Sequence, residues 1–407
     1  MPKVFVTDGY WHKTLTVVRS LGEKGIDVTV GESTRLSTAL FSRYAKRRVI
    51  YPSPKRRPEE FLDFLENELK KEKYDVLITP EESTLLLIAK NINRFEGLTR
   101  FPFAGHNLIA KASDKSEVVK IAKSRGIPVP ETIFIQDINE LERKTASITF
   151  PAVIKPRISS GSYGIKYVNP VRKDGVHGAW LSNGVNNKDE LLSAYKEVHS
   201  KYPFPLIQEY IPQGGDAFGV SCLFDRGVKL KAVFVHKRLR EYPITGGPST
   251  LRESVVNDEV KELGVKLLSA MKWYGVAMVE FKVDPRDNKP KLMEINPRFW
   301  GSLPLAIYSG VDFPYLLYKM AMGEGFEAVT KYKTGIRSRY LLPGDIMHFI
   351  SNPDRFNMKP SFFKFFDKNT RDDIISLKDP LPTIGRILSL LTLLYNKDMQ
   401  RYLKERN

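Results

Sequence analysis

The chain has 407 residues, of which 42% are hydrophobic and 27% are charged, and this predicts a soluble globular protein of roughly two to four folded units. The net charge of +17 would suit nucleic acid, yet no zinc finger, repeated basic helix or aromatic-interleaved RNA motif accompanies the basic clusters at residues 43–48 and 55–57. We therefore expect no dedicated nucleic-acid partner, although polyphosphate substrates and anionic lipids would be attracted by the same charge.

The single cysteine, Cys222, excludes an internal disulfide and a thiolate metal cage. It favours a reducing compartment, and we expect a cytoplasmic protein. No signal peptide is visible at the N-terminus. The longest apolar stretch, residues 387–394, is far shorter than the roughly 20 residues of a membrane span.

Residues 1–110 alternate strand-like and helix-like segments, which predicts a Rossmann-like domain with a parallel sheet. The strands are expected at residues 3–8, 27–30, 48–51 and 75–79, and the helices before Gly25, from Pro58 and at residues 83–93. Asp8-Gly9-Tyr10-Trp11 lacks the glycine series of a dinucleotide fingerprint. A nicotinamide dehydrogenase is therefore not expected.

The pattern changes at Ser113, which should cap a helix that ends at Gly126. Strands at residues 132–135, 150–155 and 206–211 and a helix capped by Asn187 are expected next. The Gly/Ser-rich loop at residues 157–164 can close over a ligand, because glycine adopts tight turns and backbone N–H groups bind phosphate. Taken alone, this loop is more typical of a plain flexible hairpin.

Residues 276–283 and 291–298 are alternating segments around a turn-like stretch and predict a β-hairpin. Glu280 and Glu294 lie among apolar residues, where an unpaired carboxylate would be costly. Asn296 is two residues beyond Glu294, so its side chain points from the same face. Two carboxylates and a carboxamide suit Mg²⁺ better than zinc. A pair of buried glutamates neutralised by Lys or Arg is the alternative.

The order of these motifs resembles the ATP-grasp superfamily, in particular its carbamoyl-phosphate-synthase-like branch of carboxylate–amine ligases. The resemblance covers residues 3 to about 320 and rests on these segments in order: Ser-Asp-Lys115, the strand ending at Lys155, the Gly/Ser loop, Gln-Glu-Tyr-Ile211, Gly-Gly-Asp216, the strand of Glu280 and Met-Glu-Ile-Asn-Pro-Arg298. It implies an α/β fold, α+β in its catalytic part. An ATP-grasp domain at residues 111–325, with a lid at about 130–205, would follow the Rossmann-like domain.

The resemblance also implies roles for individual residues. The residues implied in binding the ATP cosubstrate are Lys115, Lys155, Ser160, Gly161, Ser162, Gln208, Glu209, Ile211 and Asp216. The residues implied in binding two Mg²⁺ ions, which Mn²⁺ can replace, are Glu280, Glu294 and Asn296. The residues implied in catalysis are Lys155, Arg252 and Arg298. Residues 236–252 are rich in Arg and Lys, which fits an acidic substrate, and a solvated basic strand and loop is the alternative.

The implied reaction joins a small-molecule carboxylate to an amine. The carboxylate would attack the γ-phosphate of ATP to give an acyl phosphate and ADP, and the amine would then displace phosphate from the acyl carbon. A bicarbonate-activating carboxylase, a carbamoyl-phosphate-forming enzyme and direct phosphorylation of a small molecule are the enzymatic alternatives. A basic binding or scaffold protein with a vestigial nucleotide site is the alternative of another class. The sequence leaves open whether the protein is a homo-oligomer.

Residues 326–407 are basic and aromatic and are expected to form a small, separate, mostly helical C-terminal element. Four phenylalanines lie between residues 362 and 366 beside two lysines, and residues 384–395 are apolar on nearly every helical face. Such a helix must be buried, so we expect it to pack against the core. An oligomer contact and a weak peripheral membrane contact are the alternatives.

Overall fold

The computed structural model describes residues 1–145, 148–158, 164–168, 171–172, 180–181, 188–244, 246–365 and 367–391. The expected phosphate loop residues Ser160, Gly161 and Ser162 and the expected helix cap Asn187 lie outside these residues. The end of the apolar C-terminal stretch, beyond residue 391, also lies outside them.

The N-terminal part is a four-stranded parallel sheet, which confirms the predicted Rossmann-like architecture. The strands are β1 (Lys3–Val6), β2 (Asp27–Glu32), β3 (Ala45–Ile50) and β4 (Val76–Ile78), in the spatial order β3-β2-β1-β4. The helices are α1 (His12–Glu23), α2 (Pro58–Lys71) and α3 (Glu82–Lys90). Pro58 in the first turn of α2 and two following glutamates favour the start of that helix.

Two short helices, α4 (His106–Ser113) and α5 (Lys115–Ser124), lead out of this sheet. Ser113 was expected to cap a helix, and this assignment is wrong, because Ser113 is the last residue of α4. Asp114 has the extended backbone of a cap, and its carboxylate accepts the N–H of Ser116 at 2.8 Å. Lys115 therefore occupies the first position of α5.

A second, smaller sheet contains four strands in the order β5-β10-β6-β7. Its strands are β5 (Thr132–Phe134), β6 (Ala152–Lys155), β7 (Lys166–Val168) and β10 (Leu206–Glu209), and a separate two-stranded ladder consists of β8 (Val171–Arg172) and β9 (Trp180–Leu181). The helices of this region are α6 (Leu141–Lys144) and α7 (Lys188–Lys201). Helix α7 buries Leu191, Tyr195 and Val198 in the same apolar cluster as Ile154 of β6.

A seven-stranded sheet in the order β15-β14-β11-β12-β13-β16-β17 carries most of the candidate site. Its strands are β11 (Ala217–Phe224), β12 (Leu230–Glu241), β13 (Ser249–Ser254), β14 (Gly275–Asp284), β15 (Lys289–Asn296), β16 (Arg337–Arg339) and β17 (Thr370–Asp372). The helices associated with it are α8 (Asp258–Ala270), α9 (Leu303–Tyr308) and α10 (Phe313–Met322). The predicted hairpin is confirmed as β14–β15, in which Glu280 lies directly opposite Glu294.

Residues 326–391 contribute strands to this sheet and are not mostly helical, contrary to expectation. Strand β16 pairs with β13, and β17 pairs with β16. The helices are α11 (Ile346–Ser351) and α12 (Leu381–Leu391). Three-residue strands have no alternating pattern long enough to detect in sequence. They depend instead on a partner edge that only the folded sheet provides.

Helix α12 packs against the short turn Thr38–Phe41 of the N-terminal domain, where Gly385 approaches the ring of Phe41. The expectation that this helix buries its apolar side chains is wrong for three residues, each 51% exposed: Leu381, Ile384 and Ile387. Within the described part of the chain, no helix combines the length and hydropathy needed to cross a membrane.

Candidate functional site

Glu280, Glu294 and Asn296 meet on one face of the β14–β15 hairpin. The Nδ2 group of Asn296 donates to Oε1 of Glu280 at 3.1 Å and lies 3.5 Å from Oε1 of Glu294. The second oxygen of Glu280 accepts a hydrogen bond from Nη2 of Arg238 at 2.7 Å. Both carboxylates are partly buried. The fold therefore brings two carboxylates and a carboxamide together, with a cation beside the deeper carboxylate.

The electrostatics of this cluster favour a cation. Burial raises the pKa of Glu280, the charge of Glu294 raises it further, and Arg238 opposes the shift. Nδ2 of Asn296 faces the carboxylates in this structure, and a turn of the amide would present its Oδ1 as a third oxygen. Oxygen donors of this kind fit Mg²⁺. No group of three or more His, Cys, Asp or Glu residues with metal-binding geometry occurs in the described ranges.

Two lysines approach the hairpin from different elements. Nζ of Lys115, at the start of α5, lies 3.6 Å from Oε2 of Glu294. Lys155, at the end of β6, is half-buried, and desolvation together with the neighbouring Lys115 charge lowers its pKa to about 8. A desolvated cation with a lowered pKa gains energy from a nearby polyanion.

The ends of α5 and β6 are fastened to each other. Arg157 donates through Nη2 to Oδ2 of Asp114 at 2.5 Å and through Nε to Oδ1 at 3.3 Å. The N–H of Lys115 donates to the carbonyl of Arg157 at 2.9 Å. These hydrogen bonds fix the positions of Lys115 and Lys155 relative to each other. Asp114 and Arg157 were not among the predicted site residues, although both adjoin predicted lysines in sequence.

Arg298 lies where the hairpin meets the carboxyl edge of the N-terminal sheet. Its Nε is 3.7 Å from Oε2 of Glu82, and its Nη1 donates to the carbonyl of Phe299 at 2.8 Å. Lys13 forms an ion pair with Glu81 at 2.7 Å in the same region. Burial and the Arg298 charge lower the pKa of Lys13 to about 8, while Glu81 opposes the shift. Ligands of open parallel sheets bind at this edge, and here it presents two cations.

A small polar pocket opens beside the hairpin. Its lining residues are Glu82, Ala112, Ser113, Lys115, Glu294, Ile295 and Asn296. The pocket therefore brings Glu294 and Asn296 of the hairpin together with Lys115 and with Glu82, the acidic partner of Arg298.

Four residues implied in ATP binding have protein partners: Gln208, Glu209, Ile211 and Asp216. Gln208 is buried, and its Nε2 donates to Oγ1 of Thr132 at 2.9 Å. Glu209 accepts from Arg286 at 2.7 Å. The structure places both at the end of β10, the last strand before β11.

The next two expected nucleotide residues contact the large sheet. The carbonyl of Ile211 accepts from Nζ of Lys282 at 3.0 Å, and Asp216 forms an ion pair with Lys237 at 2.8 Å. Lys282 lies two residues after Glu280 in β14, so these side chains leave the strand on the same face. The Ile211 carbonyl therefore lies on the same side of the sheet as Glu280.

Arg252 is not placed as expected. Its side chain is fully buried and ion-paired with Asp373, and its Nη2 donates to the carbonyl of Gly301 at 3.0 Å. The expectation of a guanidinium presented to the substrate is therefore not met. The physical reason is tertiary, because Asp373, which neutralises Arg252, lies 121 residues away in the chain. Arg252 is better described as a positioning residue for the segment after Arg298.

Arg238 and His236 of β12 were not among the predicted site residues. Arg238 and His236 lie within the basic stretch at residues 236–252 and alternate along β12, so they share a face. Gly219 of β11 is paired with His236 of β12 on one side and with Glu280 of β14 on the other. A Cβ at Gly219 would lie 2.2 Å from the His236 ring. The alternation is visible in sequence, but the register that puts Arg238 beside Glu280 is not.

Comparison with known proteins gives a consistent result. Residues 201–342 match a family model described as "ATP-grasp in the biosynthetic pathway with Ter operon". A formate-dependent phosphoribosylglycinamide formyltransferase of Prochlorococcus marinus is 25% identical over 243 residues, 58% of this chain and 58% of that protein. A D-aspartate ligase of Enterococcus faecium is 23% identical over 240 residues, 56% of this chain and 54% of that ligase. The chain thus matches little more than half the length of either relative.

The fold is also shared with a solved structure. A biotin carboxylase from Campylobacter jejuni superposes with a TM-score of 0.65 at 16% identity, over 83% of this chain and 74% of that chain. At this identity the likeness concerns the fold alone. Residues 201–342 are thus similar to an ATP-grasp family, and most of the chain shares its fold with a biotin carboxylase.

Proposed function

We propose that the protein is an ATP-dependent carboxylate–amine ligase, which forms ADP and a C–N bond of amide or peptide type. The observation that carries the proposal is the convergence of Glu280, Glu294 and Asn296 with Lys115 and Lys155. These residues come from the hairpin, from α5 and from the small sheet. Such a group can neutralise a triphosphate between two subdomains, which is the main requirement of phosphoryl transfer.

ATP is the proposed cosubstrate. Lys115 and Lys155 would contact its phosphates, and the expected loop residues 160–162 would close over them. Glu280, Glu294 and Asn296 would hold two Mg²⁺ ions, replaceable by Mn²⁺, which neutralise phosphate charge. The Ile211 carbonyl and its neighbours Gln208 and Glu209 would face adenine, and Asp216 would lie near the ribose.

The acidic substrate would lie between the nucleotide and the N-terminal sheet. Arg298 and Lys13 lie there as ion-pair partners of Glu82 and Glu81, and either cation could bind a substrate carboxylate in place of its glutamate. A carboxylate held by these cations could attack the γ-phosphate to give an acyl phosphate and ADP. The amine would then attack the acyl carbon, and phosphate would leave with the bonding electrons while the amine loses a proton. Water must be excluded, because acyl phosphates hydrolyse.

The names of the relatives support a ligase without identifying the substrates. The Enterococcus protein is a D-aspartate ligase and the Prochlorococcus protein is a formate-dependent formyltransferase, so each name includes a carboxylic acid. A bicarbonate-activating carboxylase is the second candidate, and the shared fold with biotin carboxylase favours it. A basic scaffold with a vestigial site is disfavoured, because Glu280, Glu294 and Asn296 are all present.

The proposal can be tested by a screen of acids and amines for ATP-dependent phosphate release, with Glu294→Gln as the inactive control. Hydroxylamine should trap the acyl phosphate as a hydroxamate when the correct acid is supplied without amine. ADP formation that requires both an acid and an amine supports a ligase. ADP formation that requires only bicarbonate would replace the ligase with the carboxylase. ATP binding without turnover in a broad screen would favour the scaffold.

We also propose how the chain divides into domains. We propose an N-terminal domain at residues 1–110, an ATP-grasp domain at 111–325 with its lid at about 130–205, and a C-terminal element at 326–407. A cytoplasmic location is proposed on the single, buried cysteine.

A further inference from the structure

Helix α12 presents its apolar side to solvent. Leu381, Ile384 and Ile387 recur every three residues and are each 51% exposed, so they lie along one side of the helix. Leu377, shortly before the helix, is fully exposed. The buried residues of the helix are Pro382, Gly385, Arg386 and Ser389, and Leu388 and Leu390 are partly buried. This is the reverse of the arrangement in an ordinary surface helix, whose apolar side faces the core.

Specific bonds hold the helix in this orientation. Arg386, on the inner side, donates through Nη2 to the hydroxyl of Tyr340 at 2.5 Å. Just before the helix, Asp379 is almost completely buried and accepts from Nε of Arg19 at 2.9 Å and from Oγ of Ser42 at 2.7 Å. Rotating the apolar side inward would turn Arg386 toward solvent and break its bond to Tyr340. The apolar side is therefore held outward by the fold.

Basic residues border this side. Nη1 of Arg43 donates to the carbonyl of Lys378 at 3.4 Å, and the N–H of Arg43 donates to Asp379 at 2.9 Å, so the start of α12 adjoins the N-terminal basic segment. Residues 33–58 contain no Asp or Glu. The basic residues of that segment are Arg35, Arg43, Lys46, Arg47, Arg48, Lys55, Arg56 and Arg57. The one acidic residue identified at the contact, Asp379, is 1% exposed.

We propose that the outer side of α12, together with Arg43 and Lys378, is a contact surface for an anionic lipid bilayer. Exposed aliphatic side chains can enter the headgroup region, while flanking cations meet lipid phosphates. Charge complementarity selects this occupant. A second copy of the chain would bring an identical basic border against this one in a two-fold contact, and the like charges would repel. Nucleic acid would use the cations but leave the aliphatic side chains in water.

The test is co-sedimentation of the full chain with vesicles. Phosphatidylcholine vesicles that contain phosphatidylglycerol should retain the protein, and vesicles of phosphatidylcholine alone should not. The Ile384→Asp/Ile387→Asp variant should lose the binding. Removal of each border charge, in Arg43→Gln and in Lys378→Gln, should weaken the partition coefficient about fivefold.

Matched controls separate this surface from general charge and hydropathy. Val256→Asp changes an aliphatic residue that is 65% exposed elsewhere, and Lys266→Gln removes an exposed lysine of α8; both variants should bind like the wild type. Circular dichroism and thermal unfolding should show that all variants fold.

Three results would overturn the proposal. The first is an absence of binding to the anionic vesicles by the wild type. The second is equal binding by the α12 variants and the wild type. The third is a concentration-dependent dimer, detected by sedimentation velocity, that the α12 variants abolish while vesicle binding is absent. That third result would assign the surface to a second copy of the chain.

Discussion

Glu294 is the residue on which the metal assignment can be tested most directly. Its carboxylate faces both Asn296 and Lys115. Glu294→Gln keeps the shape of the side chain but removes the ligand charge, so we expect turnover to be lost and Mg-ATP binding to weaken. Phosphate release should be measured against the Mg²⁺ concentration, with thermal unfolding as the check on folding.

The matched control for this substitution is Glu262→Gln, which changes an exposed glutamate of α8. It should leave turnover unchanged. Wild-type turnover in the Glu294→Gln variant would contradict the proposed role of the hairpin in metal binding.

Lys155 should make ATP binding depend on pH. Burial and Lys115 lower the pKa of Lys155 to about 8 in the free protein. Below that pH the ammonium is charged and attracts phosphate, and above it the neutral amine does not. The KM for ATP should therefore rise as the pH increases through 8. Lys155→Ala should raise the KM and lower kcat at pH 7, because the charge acts in ground and transition states alike.

Lys155→Arg provides the control for this pH effect, because a guanidinium stays charged across this range. The inflection near pH 8 should disappear in this variant even if its KM is higher. An unchanged inflection would assign the titration to another group, such as Lys13, and a change in thermal stability alone would make Lys155 structural.

At the scale of elements, the packing of α12 depends on a missing side chain. A Cβ at Gly385 would lie 2.5 Å from Cδ2 of Phe41, closer than such contacts allow. Gly385→Ala should lower the free energy of unfolding by about 1–3 kcal/mol through overpacking, less the gain of up to about 1 kcal/mol from helix propensity. Urea denaturation measures the difference.

Gly325→Ala is the matched substitution, because nothing lies within 4 Å of a Cβ at Gly325. It should be neutral or slightly stabilising. If Gly385→Ala were as stable as Gly325→Ala, α12 would not pack against Phe41 as described, and the outward orientation of its apolar side would lose its structural basis.

At the scale of the whole molecule, the C-terminal residues complete the central sheet. Strand β16 pairs with β13, and Asp373 neutralises the buried Arg252. Truncation after residue 330 would expose the β13 edge and leave a buried guanidinium unpaired, which typically costs about 3–5 kcal/mol. We expect this truncated protein to aggregate, as measured by size-exclusion chromatography and light scattering.

Activity of the truncated protein distinguishes a structural role of the C-terminal residues from a role in membrane contact alone. A truncated protein that stayed monomeric and retained full turnover would show that residues 331–407 are dispensable for the catalytic fold. If that protein had also lost its binding to anionic vesicles, their role would be confined to the membrane contact.

Local patterns in the sequence were sufficient to predict the N-terminal parallel sheet and the hairpin of Glu280 and Glu294. The period of two along each strand, the turn between them and the alternation of strands with helices are written in neighbouring residues. The choice of oxygen ligands also follows from residue type alone. These predictions needed no knowledge of which distant segments meet.

Tertiary structure decided the rest. Arg238 reaches Glu280 only because β11 sets the register between β12 and β14. Arg252 is buried because it pairs with Asp373, which directly follows a strand too short to detect in sequence. The apolar side of α12 faces outward because the opposite side packs against the distant turn Thr38–Phe41 and Arg386 donates to the Tyr340 hydroxyl. In each case the deciding contact joins residues far apart in the chain, and local propensity carries no information about such pairs.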